Sequence, residues 1–252
     1  MEGLVLAPDI LVLLFVVALV AGCLDTLAGG GGLIALPALI LAGLPPLQAL
    51  GTNKLQGSMG TAMATLMMFR HRRVQWRSVR YLMLTAFVGA ASGSLALQFM
   101  DTSFLGFVIP IVLVVIGIYF LFAGKLLNLA TTARMREPLY RNTVVPLIGW
   151  YDGMFGPGAG SFFALSGVAL QGRNLLEATA VAKTQNFATN LASLLIFVAA
   201  GQVMWIAGIV MMAGQAAGAW LGSHILFRVN PQYLRIVIVL ICLAMLTRYF
   251  AA

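Results

Sequence analysis

The stretch Asp152-Gly153-Met154-Phe155-Gly156-Pro157-Gly158-Ala159-Gly160-Ser161 interrupts an apolar run that extends from about residue 142 to residue 171. A second apolar run, residues 9 to 42, is broken in the same way by Asp25 and then Gly29-Gly30-Gly31-Gly32. Glycine lowers helix propensity and accepts positive φ, so each run is expected to fold as two half-helices joined by unwound backbone. At membrane depth such backbone survives only where protein or a watery cavity satisfies its polar groups. Whether these runs lie in a membrane therefore decides the fold.

Composition answers that question. Of 252 residues, 61% are hydrophobic and only 9% charged, whereas a soluble domain carries about 25% charged residues. The chain has too little polar surface to be coated for water and reads as a polytopic, all-α membrane protein. A spanning helix needs about 20 mostly apolar residues, and further apolar segments lie near 47–69, 78–99, 104–124, 175–200, 203–227 and 233–250. Glu2 and Asp9 precede the first run where a secretory leader would be basic, so that run is read as part of the mature protein. Cys23 and Cys242 lie in distant apolar runs, which fits neither a disulfide framework nor a metal-ligand spacing.

The two breaks belong to an internal repeat. At an offset of 127, Gly22, Asp25 and Gly29 meet Gly149, Asp152 and Gly156. After a two-residue insertion the offset is 129, and Gly43, Ala49, Lys54, Gln56, Trp76, Gly89, Gly93 and Ser94 meet Gly172, Ala178, Lys183, Gln185, Trp205, Gly218, Gly222 and Ser223. The matches keep one order with one gap and include the rare tryptophan and two lysines set inside apolar segments.

Basic residues orient the halves, because Lys and Arg concentrate in short cytoplasmic loops. The net charge of +8 is carried largely by Arg70, Arg72, Arg73, Arg77 and Arg80 and by Lys125, Arg134, Arg136 and Arg141, two clusters expected on the cytoplasmic side. The counterpart of the first cluster, Gly201-Gln202-Val203-Met204, has no charge, and Arg228 and Arg235 follow instead. The halves are thus expected to be inverted: two repeats, each a glycine-broken re-entrant helix pair plus three crossing helices, with residues 1–127 and 142–252 as the repeats and 128–141 as a cytoplasmic linker. Both termini then lie outside. The competing arrangement, eight plain crossings, would put Arg173, Arg228 and Arg235 outside.

Paired broken helices in inverted repeats are the architecture in which secondary transporters build a midplane site. A helix amino end offers unpaired N–H groups and partial positive charge, so the half-helices opening near Gly32 and near Gly160-Ser161 are candidate anion cradles. Lys54 and Lys183 are ionisable residues inside apolar segments, which marks functional candidates, although a lysine there also snorkels or neutralises a carboxylate. Lys183 shares a helical face with Asn186, Asn190 and Ser193, and Lys54 with Gly57 and Thr61. Asp25 and Asp152 read equally as caps of unwound backbone or as gating carboxylates. The glycines at 89, 93, 218 and 222 are spaced for close helix packing. His71 and His224 are too isolated for a metal site or a catalytic pair.

These motifs resemble the sulfite exporter TauE/SafE family: Ala21-Gly22-Cys23-Leu24-Asp25 through Gly32, Pro37, Gly43-Leu44-Pro45-Pro46 and Thr52-Asn53-Lys54-Leu55-Gln56, then Gly149 through Ser161 and Ala178-Thr179 through Asn186. The resemblance covers nearly the whole chain. It implies a bacterial-type inner-membrane permease for sulfite, sulfonates or other small anions, and carries over Asp25, Gly29, Gly30, Gly31, Gly32, Asn53 and Lys54 in one half. In the other half it carries over Asp152, Gly156, Pro157, Gly158, Gly160, Lys183 and Asn186. The first half departs from the second in having Gly30 where the second has Pro157.

The expected function is secondary transport of a small anion by alternating access, the site including Gln56, Ser161, Gln185 and Asn190 besides the residues just named. A proton or sodium ion is the candidate coupled ion, the bilayer is the other partner, and a homo-oligomer is compatible with the reading. No enzyme, cofactor, metal or nucleic-acid role is expected: neither a nucleophile–base pair nor a Gly-x-x-x-x-Gly-Lys-Ser/Thr nucleotide motif is present. The rival reading is an anion channel whose broken helices form a filter.

Overall fold

The computed structural model describes residues 6–100 and 132–225. Among these residues all regular structure is helical: α1 (Pro8–Ala28), α2 (Gly32–Leu41), α3 (Pro46–Arg70), α4 (Trp76–Gln98), α5 (Glu137–Asn142), α6 (Val144–Met154), α7 (Ala159–Gln171), α8 (Leu175–Ala199) and α9 (Trp205–Ile225). The expected segments 104–124 and 233–250 lie outside the described residues. Both long glycine-containing runs are split where the composition places the split, into α1 and α2 and into α6 and α7. Proline stands in the first turn of α1 and α3, where its missing N–H costs nothing.

Three of these helices, covering Pro8–Thr26, Trp76–Gln98 and Trp205–His224, are long and apolar enough to cross a membrane. Many of the exposed residues along them are apolar, including Val12, Leu13 and Val16 of α1, Leu84, Val88 and Leu95 of α4, and Ile206 and Ile209 of α9, while exposed titratable side chains sit near the ends, at Asp9, Arg77, Arg80 and His224. A belt of that kind is stable against lipid and a liability against water. α3 and α8 have 25 residues each but stand apart in composition, because their buried faces carry Thr52, Asn53, Lys54, Gln56, Ser58 and Thr61, and Lys183, Thr184, Gln185, Asn186, Asn190 and Ser193.

Small residues set the packing. A side chain on Gly218 would run into the Leu19 carbonyl, and one on Gly222 into the Cys23 carbonyl, so α9 lies backbone-close along α1. The matching contacts in the other half are Gly89 on the Pro146 carbonyl and Gly93 on the Trp150 carbonyl, which seat α4 on α6. Thr26 Oγ1 donates to the Ala219 carbonyl at 3.4 Å on the first of these faces, and Ser94 Oγ to the Gly153 carbonyl at 2.9 Å on the second. α1 therefore packs on α9 and α6 on α4, each pairing joining the two halves of the sequence.

The register of these contacts fixes helix directions. Along α9, positions 214, 218 and 222 meet α1 near Phe15, Leu19 and Cys23, while 208 and 215 meet α3 at Leu55 and Gly60. α1 and α3 thus run the same way, and the chain must turn back between them through α2. Gly57 of α3 faces Asn190 of α8, and Thr65 Oγ1 donates to the Lys183 carbonyl at 3.1 Å. Numbers rise on α3 as they fall on α8, so these two helices are antiparallel.

α5, in the linker, is fastened by Tyr140, which is fully buried and hydrogen-bonded to Ser166 Oγ of α7 at 2.9 Å. Burial raises the phenol above its ordinary range, keeping it a neutral hydrogen-bonding group.

Candidate functional site

The two breaks cross each other. α1 ends on Gly29, whose φ of 78° is the left-handed conformation that stops a helix without strain only for glycine. A Cβ there would lie 2.6 Å from the Ser161 amide nitrogen and 2.7 Å from the Gly160 carbonyl carbon, so the first break rests directly on the amino end of α7. On the other side Gly156 (φ 91°) and Gly158 (φ 79°) bend the chain between α6 and α7. Gly31 differs from expectation: its φ of −56° is right-handed helical, and what requires a small residue there is the Asp25 side chain, whose Cβ would be 2.6 Å from an added Cβ. The Gly31 N–H donates to Asp25 Oδ1 at 3.3 Å, so the carboxylate caps the amino end of α2. The Tyr151 hydroxyl donates to the Pro157 carbonyl at 2.7 Å and braces the second break.

Lys54 and Lys183 are each 1% exposed. Lys54 Nζ lies 2.6 Å from Asp152 Oδ1 and also donates to the Asp152 carbonyl at 2.5 Å. Lys183 Nζ lies 3.5 Å from Asp25 Oδ2 and donates to the Asp25 carbonyl. The pairing runs from each repeat to the other, so Lys183 does not neutralise Asp152; its partner is Asp25. A lysine on a carbonyl in the last turn of α1 or α6 also suits the negative end of that half-helix. These four charges sum to zero, the state in which buried ions are tolerable in an apolar setting.

A cavity of about 30 Å³ opens where the breaks cross. That gives room for one or two water-sized particles and restricts any ligand there to a few heavy atoms. Of the residues singled out from the sequence, Asp25, Gly29, Gly32, Asn53, Gln56, Asp152, Gly156, Gly158, Gly160, Asn186 and Asn190 line it. Gly30, Gly31, Pro157, Ser161, Lys54, Lys183 and Gln185 are not among its lining residues; the lysines instead hold the two carboxylates that are. Gly57 and Thr61, read as part of the Lys54 face, also line it, and so does Gln215 of α9, which was not singled out. The available signal was a lone glutamine in an otherwise apolar span. Among the described residues no group of three His, Cys, Asp or Glu is placed to hold a metal ion.

The description "Sulfite exporter TauE/SafE" is that of the family model matching residues 14–249 of this sequence. The chain belongs to the sulfite exporter TauE/SafE family. It is 42% identical over 237 residues to a probable membrane transporter protein of Haemophilus influenzae, covering 94% of this chain and 93% of the relative. It is 40% identical over 239 residues to the probable membrane transporter protein YfcA of Escherichia coli, covering 95% and 89%. A probable membrane transporter protein, ORF9, of Sinorhizobium is 39% identical over 246 residues, covering 98% and 94%. No solved structure matches the chain. As a TauE/SafE member the chain is a membrane transporter, and at the crossing of its two glycine breaks buried charge, buried amides and helix amino ends converge.

Proposed function

We propose that this chain is a secondary transporter of a small anion, sulfite or a related sulfur-containing anion, held at the crossing of the two breaks and moved by alternating access in the inner membrane. The observation that carries the reading is the meeting of the amino ends of α2 and α7 beside a cavity that the Asn53, Asn186 and Asn190 side chains line. First-turn N–H groups and amides bind an oxyanion without a buried positive charge of their own. The lysines serve the frame: each holds the carboxylate that ends the opposite half-helix.

The reading takes the chain as two inverted repeats, 1–127 and 142–252, with re-entrant broken helices. The antiparallel run of α3 against its counterpart α8, and the shared direction of α1 and α3, support it. Alternating access then follows by rocking one repeat's broken pair against the other around a fixed site. The test is uptake of labelled sulfite, thiosulfate, a sulfonate and a short carboxylate into proteoliposomes, with binding to the purified protein. Saturable flux of one anion class supports a carrier, non-saturating flux supports the channel, and absence of binding by every anion overturns the anion site.

A further inference from the structure

We propose that the same cavity holds a monovalent metal cation, sodium, at its orphan oxygens, making the site a joint site for an anion and a cation. This rests on the anion reading above for its role in transport and for the cation's valence, but not for the oxygens that mark the site.

Three oxygens carry the inference. Asp152 Oδ2, Gln56 Oε1 and Gln215 Oε1 are buried and accept no hydrogen bond, and their residues are 1%, 1% and 2% exposed. All three residues line the one small cavity. Buried acceptors without donors are costly and rare, and each calls for a donor, a water or an ion. That the orphans in this cavity are all acceptors, one of them a carboxylate oxygen, selects a positively charged occupant. Hard oxygen donors suit an alkali or alkaline-earth ion.

Charge decides the valence. With Lys54 on Asp152 and Lys183 on Asp25 the cluster is neutral before any ligand arrives. A monoanion added alone would be an uncompensated buried charge, and so would a divalent cation accompanied by it. A monoanion with one monovalent cation keeps the site neutral. Each ligand then raises the affinity of the other by the same factor, as linkage requires, which couples the anion's movement to the cation gradient. The cavity of about 30 Å³ admits a water-sized cation in this state, and the anion would join it as the proposed alternating-access motion widens the site.

The experiment uses the purified full chain in detergent. Binding of radioactive sodium is measured with no sulfur anion present, at constant ionic strength with N-methylglucamine chloride as the replacement salt. Thermal midpoints are recorded in sodium, potassium and N-methylglucamine chloride over a pH range. The expected result is saturable sodium binding with a raised midpoint in sodium. Gln215→Met and Gln56→Met, which keep side-chain length and remove the acceptor, each weaken sodium affinity at least about tenfold, the loss of one ligand contact. Equal midpoints in all three salts with no saturable sodium would overturn the proposal, as would wild-type sodium affinity in both folded variants. A response to pH alone, with none to sodium, would also overturn it and assign the orphan carboxylate oxygen to a proton. Failure of sulfite to bind in sodium would strike the anion reading and leave the cation result standing.

Discussion

The crossed ion pairs make a quantitative prediction. Lys54 Nζ and Asp152 Oδ1 are 2.6 Å apart with both side chains almost wholly buried. At an effective dielectric of 20 their attraction is about 6 kcal/mol, most of it offset by the desolvation of two ions. Removing one partner forfeits the attraction and leaves the other charge buried, which costs roughly 3 to 5 kcal/mol. Lys54→Met should therefore destabilise the protein by about that amount. Adding Asp152→Asn should recover most of the loss, since no buried charge then remains unpaired. Lys183→Met should behave alike but be rescued by Asp25→Asn, because Asp25 is its partner. The diagnostic combination is Lys183→Met with Asp152→Asn: it leaves both Asp25 and Lys54 unpaired, so the two costs should add. The assay is unfolding in mixed micelles, arranged as two double-mutant cycles within pairs and one across them. A coupling of about 2 kcal/mol or more within each pair and less than about 0.5 across is expected. Equal coupling in all three cycles, or none, would refute the crossed arrangement.

Other outcomes follow from the site and its packing. Asn186→Leu should lower anion affinity about ten- to a hundred-fold, the worth of a hydrogen bond to a charged group, with little change in unfolding midpoint; titration of labelled sulfite against the variant checks this. Gly29→Val should abolish anion binding and lower stability, because φ at 29 is positive and an added Cβ meets the amino end of α7. Gly158→Val should do likewise through its φ of 79°, with assembly followed by gel filtration. Gly93→Val should separate α4 from α6 and destabilise by about 1 to 3 kcal/mol or more, read in the same unfolding assay. Single cysteines at Arg73 and Arg136 should escape an impermeant thiol reagent applied outside cells, whereas one at Gln202 should react, once Cys23 and Cys242 are replaced; the opposite labelling would reverse the orientation.

What could be read from the sequence follows a physical division. The helix breaks were legible because glycine acts locally: Gly29 and Gly156 take positive φ where their residue type predicts it. The matched halves were legible because packing glycines recur at fixed offsets, and Gly89 and Gly218 do meet corresponding carbonyls. Which lysine meets which carboxylate was not legible, since Lys54 and Asp152 are brought together by tertiary contact alone. Gln215 was hidden for a related reason. Its counterpart at the 129 offset is Ala86, so the repeat that exposed the other residues argued against it.

That mismatch is part of a pattern. The frame residues have counterparts of the same type: Asp25 with Asp152, Lys54 with Lys183, Gly29 with Gly156, Ser94 with Ser223. Several cavity-lining side chains do not. Asn53 answers to Ala182, Gly57 to Asn186, Thr61 to Asn190, and Gln215 to Ala86. Two equivalent halves would present any ligand with the same groups from either side, giving it two equal poses. Breaking the match at the cavity, while keeping it in the ion pairs and the packing, removes that degeneracy and lets one small ligand be held in one orientation. On the proposed transporter reading, the paired frame would serve the opposed motion of two halves and the unpaired polar side chains recognition, so substitutions at Asn53, Asn186, Asn190 and Gln215 should change which anion binds, while those in the ion pairs should change stability.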